Sequence, residues 1–345
     1  MYPQTPANPD APLADVTSWP PDEIDIDLDR IEDRPGVLGS GVGGPMGADD
    51  HVLIFLANDA DASATSVPDE ATVNGSTVPV LVDRIDPPST LPNSGVSGPP
   101  PGTMTESNST DSQPLSRHRP IPAGVSCGHP SVSAGSVGLP GIVSQWADDD
   151  ATYLLTNAHI AAPLGESDLG DPLLQPGVAD WGIAANAEDA IGELADICDI
   201  DAGGANRTDS ALVKVPEGAV APRDAVGLPG IAGLSLDPPT DAPYVKTGRT
   251  SGVTKSLVRS RLARITIDDY FDHIAGFDAR VSFQDITVFN GFAEPGDSGS
   301  PIGVIDDDGF QVSHLLFAGG EDRSFGVPLR NLMNEHGPFK LAPSH

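Results

Sequence analysis

The sequence is short of positive charge. Lysine and arginine together number 18 against 50 aspartates and glutamates, which gives a net charge of −32, and only four of the cations are lysines. Nucleic acids and anionic membranes are bound through basic patches, so both are disfavoured as partners. An acidic surface of this kind repels itself at low ionic strength, and salt screens the repulsion. We therefore expect a halophilic protein that needs high salt to fold. An acidic protein without a salt requirement is the alternative.

Cysteines, aromatic residues and long apolar runs are also scarce. The two cysteines, Cys127 and Cys198, are too few for a disulfide framework, and ordinary buried thiols are expected. No second ligand pair follows Cys127-Gly128-His129, so no metal and no other cofactor is predicted. The sequence has no run of about 18 apolar residues, and its N-terminus lacks the cationic and apolar regions of a signal peptide. These absences predict a soluble, cytoplasmic protein.

Glycine and proline are abundant instead, with 38 and 35 residues among 345. Their distribution, with that of Asp and Ser, divides the chain into four parts. Residues 1–34 are rich in Pro and Asp and predict a disordered arm. Residues 35–89 predict a small β-containing module with an Asn74-Gly75 hairpin turn. Residues 90–118 have the composition of a flexible linker, and 119–345 form the main domain.

Short β-like runs alternate with Gly, Pro and Asp turns throughout the main domain, and few stretches show helical periodicity. The pattern is typical of an all-β barrel or sandwich. The clearest runs are 138–144, 152–155, 210–215, 261–267, 281–288 and 312–317, and 327–336 predicts one short helix.

The stretch Glu294-Pro295-Gly296-Asp297-Ser298-Gly299-Ser300-Pro301 places a small nucleophile among turn-forming residues. Gly296 and Gly299 allow backbone conformations that are closed to other residues, and they let a ligand approach the chain closely. A serine hydroxyl is a poor nucleophile until a base takes its proton. Ser298 is therefore a candidate nucleophile that needs a base and an acid from elsewhere in the chain. An ordinary turn residue is the alternative.

The best candidate base is His159, which follows an apolar strand and the sequence Thr156-Asn157-Ala158. A strand end holds a side chain rigidly at the rim of a barrel. The alternative is that His159 is a structural histidine of the core. A carboxylate must then fix the imidazole tautomer. Asp209 stands directly before the apolar run 210–213 and suits that role. The alternative acids are Asp196, Asp199 and Asp201.

The order His159, Asp209, Ser298, with separations of 50 and 89 residues, is that of the chymotrypsin-type triad. Thr156-Asn157-Ala158-His159 is similar to the histidine motif of the trypsin/chymotrypsin-like serine proteases. Thr208-Asp209-Ser210-Ala211-Leu212 is similar to their aspartate motif, and Gly296-Asp297-Ser298-Gly299-Ser300-Pro301 to their serine motif. The resemblance covers roughly residues 120–335. It implies a two-barrel chymotrypsin-like fold and a serine endopeptidase that acts on polypeptide substrates.

The same resemblance implies further roles. The backbone N–H groups of Gly296 and Ser298 would form the oxyanion hole, and Asp297 would make an internal structural contact. The position at the base of the specificity pocket falls six residues before Ser298, at Phe292, which argues against a pocket for basic side chains. Phe317, Ala318 and Gly319 would line the pocket and hold the substrate backbone. No oligomeric state is predicted.

A narrower resemblance rests on Thr247-Gly248-Arg249-Thr250-Ser251-Gly252-Val253-Thr254, on Leu315–Gly319 and on the N-terminal module. These features look like a bacterial, archaeal and plant branch of trypsin-like proteins. Unlike secreted trypsins, the chain has no activation-type Ile-Val-Gly-Gly sequence and no disulfide set, so a zymogen switch by N-terminal insertion is not expected. The run Lys246–Arg249 would support a barrel turn or touch substrate. Two alternative functions remain: a binding or scaffold protein with little turnover, and a protease that cleaves its own linker.

Overall fold

The computed structural model describes residues 27–43, 51–60, 67–90, 114–132, 134–144, 151–162, 168–180, 189–239, 241–268, 270 and 280–343. Most of the predicted arm and linker, residues 1–26 and 91–113, lies outside them. In the described part the chain is built mainly from strands, with three short α-helices. The predicted all-β, two-barrel chymotrypsin-like fold is confirmed. None of the described helices is long and apolar enough to cross a membrane.

The N-terminal unit consists of one helix and five strands. They are α1 Leu28–Glu32, β1 Val37–Gly43, β2 His51–Ala57, β3 Glu70–Val73, β4 Ser76–Ile85 and β5 Ser89–Thr90. Asn74 and Gly75 have φ values of 49° and 78° and form the predicted hairpin turn between β3 and β4. Helix α1 departs from the prediction of a disordered arm over residues 1–34. Leu28 and Ile31 are buried against β1 and β2, so their apolar contacts order the end of that arm.

The first barrel contains β6 Ile121–Ala123, β7 Ser126–Cys127, β8 Gly135–Ser136, β9 Leu139–Ser144, β10 Thr152–Thr156, α2 Ala158–Ala161, β11 Pro172–Leu174, β12 Ala190–Ile197, β14 Ala211–Val215 and β15 Val220–Ala225. Strand β13 Ala205–Asn206 comes between β12 and β14 in the chain but pairs with residues 282–283 of the second barrel. A 3-10 turn covers Val178–Asp180. The largest sheet has the order β11-β12-β14-β10-β9, and the C-terminal strand Phe339–Leu341 pairs with β9. Leu154 and Val213 are fully buried in this barrel, because alternate residues of adjacent strands face one core.

The second barrel contains β16 Ile231–Leu234, β17 Tyr244–Gly248, β18 Gly252–Ser256, β19 Val258–Ile267, β20 Val281–Asn290, β21 Pro301–Ile305, β22 Phe310–Gly319, β23 Arg323–Pro328 and α3 Leu329–His336, and the C-terminal strand is β24. Its strands follow the order β18-β17-β21-β22-β23-β20-β19. Phe283, Phe310, Phe317 and Phe325 are fully buried and form much of its core.

The N-terminal strands extend the sheet of the second barrel. β1 pairs antiparallel with β19, so the sheet continues as β19-β1-β2-β4-β3. Asp83 of β4 adds a charged contact, since its carboxylate accepts hydrogen bonds from Arg323 at 2.7 Å and from Arg259 at 3.1 Å. The module predicted over 35–89 is thus joined to the second barrel by backbone pairing and by buried charge. Sequence periodicity alone does not show which strand a β-run will pair with.

The end of the predicted linker is also packed. The backbone N–H of His118 donates a hydrogen bond of 2.9 Å to Gln175 Oε1, and Gln175 Nε2 donates one of 2.9 Å to the carbonyl of Ser116. Residues 114–118 therefore lie against the first barrel. The buried Gln175 side chain supplies polar partners that the composition of the segment does not reveal.

Three buried groups in the barrels are held in their neutral forms. Both cysteines are free and buried, as predicted, and burial raises the pKa of the Cys127 thiol to about 12. The His314 ring of β22 is buried between Ser313 Oγ, 2.8 Å from Nδ1, and Thr287 Oγ1, 3.0 Å from Nε2. Burial lowers the pKa of His314 to about 3.

Acid should destabilise the protein through His314. The ring is neutral in the folded state, whereas the unfolded chain takes up a proton below the usual pKa of 6.5. Because the unfolded state then binds more protons, the free energy of unfolding should fall by up to about 1.4 kcal/mol per pH unit from roughly pH 6.5 towards pH 3. We expect His314→Gln to flatten this slope in urea unfolding between pH 7 and pH 5. His118→Gln, at the barrel surface, is the control, and equal slopes in all three proteins would contradict the prediction.

Candidate active site

His159 and Asp209 are brought together by the pairing of two strands in the first barrel. β10 and β14 run antiparallel, with Leu155 opposite Leu212 and Thr156 opposite Ala211. His159 lies in α2, directly after β10, and Asp209 lies just before β14. The end of one antiparallel strand lies beside the start of the next, so this register places the two side chains next to each other.

The carboxylate of Asp209 is fully buried and fixed on both oxygens. Its Oδ2 lies 2.5 Å from His159 Nδ1, and its Oδ1 accepts the backbone N–H groups of Ala158 at 2.8 Å and His159 at 3.3 Å. Asn157 Nδ2 donates to the Asp209 carbonyl at 2.6 Å. A carboxylate only accepts hydrogen bonds, so Nδ1 carries the proton and Nε2 is left as an acceptor. His159 Nε2 makes no hydrogen bond to any residue that the structure describes.

Two of the other candidate acids are engaged elsewhere, and the third, Asp199, is exposed. Asp196 Oδ2 lies 2.7 Å from His336 Nδ1, and Asp201 accepts hydrogen bonds within its own loop, including one of 2.8 Å from the Gly203 N–H. Asp209 is thus the acid that the structure brings to His159.

Tyr270 is a neighbour of this pair that the sequence did not reveal. Its buried ring lies edge-on to the His159 ring, with the centroids 6.4 Å apart. Burial, together with the negative charge of Asp209, raises the pKa of Tyr270 well above its usual value, so the side chain stays a phenol. No local motif marks this residue, because it reaches the site from the segment between β19 and β20.

Ser298 lies on the loop between β20 and β21 of the second barrel, and this loop docks on the first barrel. The carbonyl of Ser298 accepts the N–H of Ser136 at 2.7 Å, and the carbonyl of Ser136 accepts the Thr156 hydroxyl at 2.8 Å. Gly299 has a φ of 91°, and a Cβ there would lie 2.1 Å from the Ser136 carbonyl oxygen, so only glycine fits. Ser136 thereby connects the Ser298 loop to the chain just before His159.

The Ser298 hydroxyl donates a hydrogen bond of 3.3 Å to the carbonyl of Phe317, and it is fully buried. His159 Nε2 and Ser298 Oγ are therefore not hydrogen-bonded to each other. Catalytic hydrogen bonds are often long or misaligned without substrate.

The backbone N–H groups of Gly296 and Ser298 are oriented by hydrogen bonds that the carbonyl oxygens of the same two peptide groups accept. The carbonyl of Pro295 accepts the Thr250 hydroxyl at 2.8 Å, and the carbonyl of Asp297 accepts the Ser300 hydroxyl at 2.6 Å. In a trans peptide the N–H points away from the preceding carbonyl. The N–H groups of Gly296 and Ser298 therefore point away from these hydroxyls, and neither donates to a carbonyl of the described residues.

Asp297 makes the internal contact that was predicted for it, and the partner is Lys246 of β17. Lys246 Nζ lies 3.0 Å from Asp297 Oδ2, and both side chains are fully buried. Asp297 also accepts the N–H groups of Thr250 at 2.9 Å, Ser251 at 3.1 Å and Glu294 at 2.9 Å. Burial lowers the pKa of Lys246, although the charge of Asp297 opposes the shift. The run Lys246–Arg249 thus supports the Ser298 loop from inside the second barrel.

Arg249, at the other end of that run, reaches the first barrel. Its guanidinium makes a two-point contact with Asp180, with distances of 2.6 Å from Nε and 2.5 Å from Nη2. Its backbone N–H donates to Ser136 Oγ at 3.0 Å, and that hydroxyl donates to the Gly296 carbonyl at 3.1 Å. Asp180 and Ser136 therefore help to hold the Ser298 loop, and no sequence motif marks either residue.

The predicted pocket residues occupy two different places. Phe292 is 8% exposed, and its ring packs against Phe289 in the core of the second barrel, with Lys246 Nζ 6.0 Å from the ring centre. Phe317 turns its ring into the core as well and meets Ser298 through its carbonyl. Ala318 and Gly319 continue β22 beyond that point. The contact of this strand with Ser298 is thus made by its backbone.

Comparisons with known proteins find similar structures but no similar sequences. No protein-family model matches the chain, and no curated protein matches it. Among solved structures, it is similar to Thermobifida fusca Protease A, with 17% identity and a TM-score of 0.44 over 65% of this chain and 99% of that one. It is also similar to Nocardiopsis protease, with 16% identity, a TM-score of 0.43 and coverages of 65% and 99%. For Cellulomonas bogoriensis chymotrypsin the values are 15%, 0.42, 64% and 98%. Similarity at this level does not establish the activity of the chain.

Removing the ammonium group of Lys246 should unfold the Ser298 loop or the whole barrel. Lys246→Met leaves the Asp297 charge buried without its cation, a change that typically costs about 3–5 kcal/mol. Denaturant unfolding at fixed high salt should show that loss. Lys255→Met, on the exposed face of the adjoining β18, is the matched control and should change stability by no more than about 0.5 kcal/mol. Similar losses in both variants would show that the buried ion pair is not the cause.

Proposed function

We propose that the protein is a serine endopeptidase, with Ser298 as nucleophile, His159 as general base and Asp209 as the carboxylate that orients His159. The observation that carries the proposal is the buried pair of His159 and Asp209. A carboxylate held by two backbone N–H groups fixes one ring nitrogen and leaves the other, Nε2, without a partner among the described residues. In a histidine with a purely structural role in the core, both ring nitrogens would be expected to have hydrogen-bond partners.

The proposed reaction has two halves. His159 Nε2 takes the proton of Ser298 Oγ as that oxygen bonds to the scissile carbonyl carbon, and the imidazolium then gives the proton to the leaving amine as the C–N bond breaks. Water attacks the resulting ester in the second half, with the same nitrogen as base. The carboxylate of Asp209 stabilises the imidazolium in both halves, and its two backbone N–H contacts keep it from rotating. No metal or cofactor takes part in this scheme.

The N–H groups of Gly296 and Ser298 are the proposed oxyanion hole. The carbonyl of each of these two peptide groups accepts a hydrogen bond from a hydroxyl, and the N–H points the other way. Both N–H groups are therefore fixed before substrate arrives. Donors that need no reorganisation stabilise the negative charge as it develops on the carbonyl oxygen. Substrate would then lie along Phe317, Ala318 and Gly319, beside Ser298. Phe292 packs in the core of the second barrel and is not part of this proposed substrate path.

The proposal predicts that a fluorophosphonate probe labels the protein in molar KCl and that Ser298→Ala removes the label. Asp209→Asn should keep the fold but lower turnover of labelled casein by about four orders of magnitude, because the wrong imidazole tautomer is then favoured. Asp196→Asn is the matched control, since it removes an acid from a different histidine and should leave turnover nearly unchanged. A folded wild-type protein that neither labels nor cleaves casein would refute the proposed activity.

One observation favours the second candidate function, a scaffold or binding protein with little or only self-directed proteolysis. The Ser298 hydroxyl donates to the Phe317 carbonyl and not to His159. If this arrangement persists in solution, labelling should be slow at every pH and insensitive to His159→Ala. Intact-mass comparison of wild type with Ser298→Ala separates self-cleavage from true inactivity, because only self-cleavage produces a smaller wild-type species.

A further inference from the structure

The short strand β5 lies on one edge of β22, at the end of the strand beyond its pairing with β21. Thr90 pairs with Ala318 and Ser89 with Gly319, in antiparallel register. On its other edge, β22 pairs with β23, with Phe325 opposite Ala318 and Ser324 opposite Gly319. A strand has two edges, so β5 takes the edge that β23 leaves free.

The edge that carries β5 is also the edge that faces Ser298. Further back along β22, Leu315 pairs with Pro301 of β21 on this side. Leu316 then accepts the Gly299 N–H at 2.8 Å, and Phe317 accepts the Ser298 hydroxyl at 3.3 Å. Ala318 and Gly319 follow directly. Since β5 runs antiparallel to β22, its chain runs from Gly319 towards Ser298 and occupies the backbone positions next to the nucleophile.

The segment that leads into β5 is held by hydrogen bonds of Asn58 and by its packing against Gly320. Asn58 Nδ2 donates to Asp86 at 2.8 Å and to Asp322 at 3.2 Å, so it bridges the chain before β5 and the turn after β22. A Cβ on Gly320 would lie 3.6 Å from the Asp86 carbonyl oxygen and 3.7 Å from that of Pro87. The segment 86–90 therefore follows residues 318–320 at van der Waals distance.

The sequence of this segment favours the extended shape that strand pairing needs. Pro87 and Pro88 fix φ near −65°, and a residue before proline avoids the helical region. Less conformational entropy is lost when a stiff segment binds than when a flexible one does. The Ser89 and Thr90 side chains are small, and the Ser89 hydroxyl lies 3.5 Å from the Gly319 carbonyl.

We infer that the chain's own Ser89–Thr90 is an internal competitor, because it occupies the edge of Ala318 and Gly319 along which the proposed substrate would lie. One consequence of this inference rests on the proposed function: an extended polypeptide substrate must displace β5. Main-chain pairing supplies the affinity, as in other cases where a peptide adds a strand to a sheet edge. A polypeptide with small polar residues at the two paired positions is the ligand that this edge fits.

The binding part is tested without catalysis, in Ser298→Ala protein. A fluorescent peptide of residues 84–90 is titrated into this variant and into Ser298→Ala/Thr90→Pro, whose proline removes a backbone donor from β5. Fluorescence anisotropy should show at least tenfold tighter binding to the double variant. Glu217→Pro is the matched control, because its turn Pro216–Ala219, closed by a 3.1 Å hydrogen bond, accepts proline. Equal binding to all three proteins would overturn the inference.

A second variant tests the same inference in case Thr90→Pro does not fold. Asn58→Ala removes the bridge from Asp86 to Asp322 without altering β5, and it should raise peptide affinity in the same direction but by less. Thermal unfolding of each variant checks that the barrels remain intact. If both Thr90→Pro and Asn58→Ala are folded and neither exposes the edge, the segment does not compete for it.

The kinetic part uses the full chain with Ser298 intact. Thr90→Pro should cleave labelled casein severalfold faster than wild type, through a lower KM at unchanged kcat, and the peptide should inhibit the variant more strongly than wild type. If no protein cleaves casein but the anisotropy result holds, the proposed activity fails and the peptide edge stands. If all cleave equally and the peptide binds none, the activity stands and the inference fails. Ser298-dependent release of the segment from wild type would make it a substrate and also overturn its role as competitor.

Discussion

The buried ion pair between Lys246 and Asp297 is the constraint on which the rest of the site depends. A buried carboxylate is costly unless it is paired and hydrogen-bonded. Asp297 meets that condition with one ammonium group, the Ser251 hydroxyl and three backbone donors, supplied by the segment 246–251 and by its own loop. Satisfying Asp297 therefore fixes the path of the next residue, Ser298. Gly296 and Gly299, with φ values of 97° and 91°, allow the chain to follow this path, which a residue with a side chain would adopt only under strain.

The two barrels contribute different parts of the site, and their docking is specified by polar contacts. His159 and Asp209 belong to the first barrel, where strand register alone aligns them. Ser298 belongs to the second barrel and is held against the first by Ser136 and by the buried pair of Arg249 and Asp180. These contacts are directional and lie near Ser298, so a small shift between barrels would break them before it separated the apolar cores.

The N-terminal strands connect this machinery to the rest of the chain. β1 extends the second-barrel sheet, Asp83 joins it to Arg259 and Arg323, and β5 pairs with Ala318 and Gly319. A sheet edge with open N–H and C=O groups attracts any extended chain. Covering part of that edge with β5 satisfies the backbone groups while no substrate is bound. The pairing of β5 with β22 also places the N-terminal unit next to the candidate site.

The sequence by itself determined the all-β class and the candidates Ser298, His159 and Asp209, because alternating apolar runs, turn residues and a glycine-bounded serine are local patterns. It also determined the Asn74-Gly75 hairpin and the helix of residues 327–336, within two residues. Only the tertiary structure decided what meets those residues. The partner of Asp297, the approach of Tyr270 and Asp180, the burial of Phe292 and the place of β5 all depend on contacts between segments far apart in the chain. Local propensity carries no information about such contacts, since they are set by which strands pair and how the two barrels dock.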